Sequence, residues 1–131
     1  VADRSVTERL ERVRPPGSVS TVSAHIATMA LRSPQYALDN VATLAAERDW
    51  LASGLAARGW QAAPSTTNFL LVTIGDHDTA ERAAHGLLHT GIVPRTFGPA
   101  NPLRGHLRLT VRSRPENERL LEAVERLSHT G

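Results

Sequence analysis

The spacing of apolar residues changes period at Trp60, and that change confines the chain to one kind of fold. Up to Gly59 apolar side chains recur three and four residues apart. Beyond Trp60 they gather in short runs, and from His106 to Arg112 they alternate one by one with polar residues. The first spacing belongs to helices and the second to strands. Helices followed by alternating strands and helices in 131 residues predict an α+β domain: a small sheet of three or four strands with covering helices, preceded by a long helix. The length is that of one domain able to bury a core.

In the helical part, Val6, Leu10 and Val13 set a short helix over Asp3 to Val13, stopped by Pro15-Pro16-Gly17. Ser18 or Ser20 can cap a second helix reaching Arg32, with Val22, Ile26, Met29 and Ala30 on one side. Ser33-Pro34 ends it and opens a third, because proline suits the first helical position. Leu38, Val41, Leu44, Ala45, Leu51 and Leu55 mark the buried side of this long helix, and Gly59 is placed to close it.

In the alternating part, Asn68 to Ile74 is apolar on both faces, which predicts a central strand covered on each side. Asp78 with Glu81 has capping-box spacing for a helix carrying Ala80, Ala84, Leu87 and Leu88, closed by Gly91. Ile92-Val93 reads as a short strand, and Thr96 to Gly105 as a loop. His106 to Arg112 places Leu107, Leu109 and Val111 on one face and His106, Arg108, Thr110 and Arg112 on the other. Ser113 with Glu116 caps a last helix whose buried stripe is Leu120, Leu121, Val124 and Leu127.

Composition removes several classes of function. All fifteen basic residues are arginine, which lifts the pI to about 10.3, yet the formal net charge is only +2. With acidic residues interspersed and few aromatics, neither a basic stripe nor base-stacking rings are present, so no nucleic-acid partner is expected. No apolar run approaches the roughly 18 residues of a membrane helix, and Val1 to Arg14 lacks the hydrophobic centre of a signal peptide. No membrane partner is expected, and a cytoplasmic location follows as the default. There is no cysteine, so thiolate sites are excluded. His85 and His89 lie four apart on a helix, but no carboxylate accompanies them and a metal wants three or four ligands, so no metal site is expected. The chain does not begin with methionine, which suggests processing or a piece of a longer protein.

Four segments, Pro64-Ser65-Thr66-Thr67-Asn68-Phe69, Gly91-Ile92-Val93-Pro94-Arg95, Leu107-Arg108-Leu109-Thr110-Val111 and Glu116-Asn117, stand in an order and at separations that resemble a known family. They look like the C-terminal small domain of histidinol-phosphate aminotransferases, members of the fold-type-I pyridoxal-phosphate enzymes. Val13-Arg14-Pro15-Pro16 and Glu47-Arg48 extend the resemblance over nearly the whole chain.

An outward arginine on a strand is ordinarily solvated; the resemblance instead implies that Arg108 clamps the substrate's α-carboxylate and that Arg95 binds its phosphate, both through charge-assisted hydrogen bonds. No catalytic or cofactor-holding residue is implied within the chain. The family holds pyridoxal phosphate as a Schiff base on a lysine, and this sequence contains no lysine. A large cofactor-binding domain is therefore expected before Val1, with residues 1–14 as a remnant of the interdomain connection and residues 15–131 as the small domain. The complete enzyme is expected to be a homodimer transferring an amine between histidinol phosphate and 2-oxoglutarate, and this chain alone to be inactive.

Two departures from the family pattern stand out. Pro94 replaces the usual valine or leucine before the arginine, and Arg112 occupies a position more often glycine, nearer to the Val-Arg of threonine-phosphate decarboxylases. A decarboxylase-like domain and a non-catalytic module that binds a phosphorylated metabolite therefore remain alternatives. Asn68 is expected to tie the preceding turn to the sheet and Ser65 to serve that turn rather than act as a nucleophile. His106 shares the Arg108 face.

Overall fold

Asp3, Ser20 and Pro34 begin three successive helices, each by a different device. The computed structural model describes residues 2–15 and 17–128 and divides into two units, residues 1–38 and 39–131. In the first unit, the Asp3 carboxylate accepts from the Ser5 N–H at 2.9 Å and opens α1 (Arg4–Val13). Ser20, not Ser18, caps α2 (Thr21–Arg32), accepting from Ser23 N–H at 3.0 Å. Pro34 opens α3 (Pro34–Ala56), which continues into the second unit. No residue of α1 or α2 is buried: Val6, Leu10, Val13, Val22, Ile26 and Met29 are all exposed. The expected buried side of α3 is buried only in its second half. Leu38 and Val41 are exposed, Leu44 and Ala45 half-buried, and Leu51 and Leu55 wholly enclosed.

The second unit carries the core. Gly59, at a φ of 81°, closes α3 with Trp60 N–H bonded to Leu55 C=O and Gly59 N–H to Ala56 C=O, the paired bonds of a left-handed helix stop. There follow β1 (Gln61–Ala62), β2 (Phe69–Thr73), α4 (His77–His89), β3 (His106–Thr110) and α5 (Arg114–Ser128). The sheet is antiparallel in the order β1-β2-β3, with Leu70 opposite Leu109 and Val72 opposite Leu107. That register puts Leu70, Val72, Leu107 and Leu109 on one face, where they join Leu51, Leu55, Ala80, Ala84, Leu87, Leu120, Leu121 and Val124 in a single core. A methyl group at Gly54 would strike Leu121 and one at Gly86 would strike Leu127, so these small residues let α3 and α4 approach α5 closely.

The α+β architecture is as expected, and several local expectations are corrected. β2 is central, but helices cover only one of its faces among the described residues; Phe69 and Leu71, on the other, are half-buried. Ile92-Val93 forms no strand, and the ladder there shrinks to one bridge, Arg95 with Arg108. β1, only two residues long, is too short to leave a pattern in the sequence. Asp76 rather than Asp78 caps α4, accepting from Thr79 N–H at 2.8 Å. Of the two leucines expected on this helix, Leu87 is in the core and Leu88 is exposed.

Candidate functional site

Arg95 and Arg108 exchange two backbone hydrogen bonds, Arg95 N–H to Arg108 C=O and Arg108 N–H to Arg95 C=O, each 3.0 Å. A pair so bonded in an antiparallel ladder projects its side chains from the same face with Cβ atoms about 5 Å apart. By the alternation of β2 and β3, that face is the one carrying Phe69, Leu71, Thr73, His106 and Thr110, away from the core. The structure thus brings together the two arginines singled out in the sequence. Both are exposed, and neither forms an ion pair among the described residues. Two adjacent guanidinium groups without a carboxylate repel each other and are relieved by a bound anion. The Arg108 guanidinium carbon lies 4.8 Å from the Phe69 ring centroid, so the aromatic face supports one fork from below.

Arg112 does not join them, although strict alternation would put it on their face. β3 ends at Thr110, and Arg112 N–H donates to Asn117 Oδ1 at 3.0 Å while its side chain pairs with Glu116 at 2.6 Å. Ser113 also donates to Glu116, through its N–H and its hydroxyl, which supplies the half of the expected capping box in which the carboxylate reaches back. The Arg112 guanidinium and the Ser113 hydrogen bonds pull the Glu116 carboxyl down to about 2, and Glu116 raises Arg112 in return.

Behind this cap sits the one buried polar side chain among the described residues. Asn117, 1% exposed, donates from Nδ2 to Arg112 C=O at 2.9 Å and to Glu47 Oε2 at 3.1 Å. Glu47 also accepts from Arg114 Nε at 3.0 and 3.1 Å, and the Arg114 guanidinium lies 3.9 Å from the Trp50 ring centroid. Arg114 holds the Glu47 carboxyl below the usual carboxylate range. This cluster fastens the corner between β3 and α5 to α3. Neither Asn117 nor Glu47 is expected in this role from the sequence. The available signal was an asparagine in line with Leu120, Leu121 and Val124 on an otherwise apolar stripe.

Ser65 serves the turn as expected: its hydroxyl donates to Phe69 C=O at 2.8 Å and accepts from Thr67 N–H at 3.1 Å. The tie expected of the Asn68 side chain is made instead by the Ser65 hydroxyl and by the Asn68 backbone carbonyl, which accepts from Val111 N–H at 2.9 Å. The His85 and His89 rings lie 6.4 Å apart, and no group of metal-ligating side chains occurs among the described residues. His106 is half-buried beside Arg108, its Nδ1 buried without a hydrogen-bond partner.

A long helix thus leads into an antiparallel sheet with helices on one face and the arginine pair on the other. The chain belongs to the aminotransferase class I and II family, whose sequence model matches residues 1–127. It is 37% identical over 130 residues to the histidinol-phosphate aminotransferase of Mycobacterium sp. (strain KMS), covering 99% of this chain and 33% of that protein. It is 40% identical over 127 residues to that of Nocardia farcinica (strain IFM 10152), covering 97% and 31%. The crystal structure of histidinol-phosphate aminotransferase from Sinorhizobium meliloti in complex with pyridoxal-5'-phosphate has the same fold, with a TM-score of 0.85 at 24% identity over 96% of this chain and 35% of that one. The chain therefore spans about a third of the length of the curated relatives it matches.

Proposed function

We propose that this chain is the substrate-clamping small domain of a pyridoxal-phosphate-dependent aminotransferase acting on histidinol phosphate and 2-oxoglutarate. The observation that carries this reading is the mutual pairing of Arg95 and Arg108 on the sheet face that the helices leave open. The names of the relatives support the substrate. The two forks suit the phosphate of one substrate and the carboxylates of the other, and Phe69 steadies Arg108. The chain's contribution is orientation rather than proton transfer.

Pyridoxal phosphate supplies the electron sink through which the amine is exchanged. This chain does not hold it covalently, because its fifteen basic residues are all arginine. In this reading a large domain before Val1 carries the lysine, residues 1–14 belong to the connection between domains, and residues 15–131 form the small domain. The assembled enzyme is a cytoplasmic homodimer, and the chain alone does not turn over.

The test is steady-state kinetics of the whole polypeptide from its source cells. Arg108→Ala is expected to raise KM for 2-oxoglutarate, and Arg95→Ala that for histidinol phosphate, each roughly tenfold to a hundredfold, the loss of a charge-assisted fork. Arg108→Lys recovers part of it, because a point charge lacks the second parallel bond. KM values unchanged in both Arg108→Ala and Arg95→Ala would remove the clamp. An intact mass of 14.2 kDa would leave a metabolite-binding module in its place.

A further inference from the structure

We propose that a cleft of about 330 Å³ at the free edge of β3 binds a small branched aliphatic carboxylate between Arg119 and the Thr110 backbone. Arg108 N–H and C=O face Arg95, and those of Thr110, two residues on, face the same way. A continued ladder would bring Val93 to meet them. The pairing stops at Arg95, so Thr110 keeps a backbone donor and acceptor with no partner among the described residues. The cleft occupies that gap, between Ile92 and Val93 on one wall and the first turns of α5 on the other.

Its floor and its charge select the ligand. Leu109 and Leu120, 2% and 5% exposed, give an apolar base. Arg112 and Glu116 cancel each other across their 2.6 Å ion pair. Arg119 is exposed and forms no ion pair among the described residues, which leaves the mouth with one positive charge. A carboxylate can accept from Thr110 N–H and from Arg119 while a short branched tail lies on the two leucines. The volume is at the small end for ligand pockets and fits an acid of about six carbons. Neither Arg95 nor Arg108 lines the cleft, so this site stands or falls independently of the clamp.

The experiment is an amide-resolved NMR titration of the 131-residue chain with 4-methylpentanoate at pH 7, beside acetate and the neutral 4-methylpentanamide. The expected result is saturation near 1 mM, with shifts centred on Ile92, Val93, Thr110 and Leu120. Both control compounds should bind at least tenfold more weakly, acetate for want of a tail and the amide for want of charge. Arg119→Glu, on an exposed position, should abolish saturation, as should Val93→Asp at a side chain 78% exposed, whereas Arg108→Ala should leave it unchanged. Shifts confined to Phe69, Arg95 and Arg108, no saturation, or equal affinity for the amide would each overturn the proposal.

Discussion

Phe69 shows how one side chain can set the aim of another. It lies diagonally across from Arg108, since Leu71 is the direct partner of Arg108 and Phe69 that of Thr110. The 4.8 Å separation is within reach of a cation–π attraction of about 0.5–1 kcal/mol at an exposed site. Phe69→Leu keeps an apolar residue in the strand but removes the ring, so phosphate binding at the arginine pair should weaken about two- to fivefold. Titration of the variant with inorganic phosphate reads this directly, and unaltered affinity would mean that Arg108 holds its direction without the ring. The outward direction of Arg108 was legible in the sequence, because alternation alone decides which side a strand residue faces. The Phe69 contact was not, because a diagonal neighbour depends on register, and nothing in one strand states the register of the next.

At the scale of elements, the corner between β3 and α5 concentrates polar contacts that the apolar pattern cannot encode. Capping spacing identified Ser113 and Glu116 from their positions alone, whereas Asn117 bonding to a residue seventy positions away in α3 has no local signature. Asn117→Ala would leave Arg112 N–H and C=O without their side-chain partner, and a loss of about 2 kcal/mol in unfolding free energy is expected by urea titration. A variant as stable as the parent would mean that water replaces both bonds.

The Glu116 cap carries a pH signature of its own. Its folded value of about 2 lies below its ordinary 4.5, so its contribution is fully present above 4.5, declines as pH falls and is gone below 2. The urea midpoint should therefore drop between pH 4.5 and 2, with a shallower drop and a lower starting point in Glu116→Gln. Equal slopes in the two proteins would assign the acid sensitivity elsewhere, with Glu47 and Asp76 next in line, because both are also held below the usual carboxylate range. Pro94 is compatible with the bridge at Arg95: with Arg95 N–H facing β3, the proline nitrogen faces outward, where an edge without that donor resists pairing with a further strand.

Across the whole molecule, the two units differ in how they satisfy their apolar residues. Residues 39–131 enclose a core, whereas α1 and α2, ten and twelve residues long, bury nothing. Helices of that length are marginal in water unless an apolar face is packed. Their stripes, with Val22, Ile26 and Met29 at 68, 61 and 58% exposure, are patterned as if for a partner. In the proposed enzyme the large domain is that partner. Amide hydrogen exchange of the 131-residue chain should then show α1 and α2 nearly unprotected while Leu70, Leu107 and Leu109 exchange slowly. In the whole polypeptide the same two helices should gain protection of a hundredfold or more, with the sheet little changed. Helices equally protected in both, or equally open in both, would sever the stripes from the large domain.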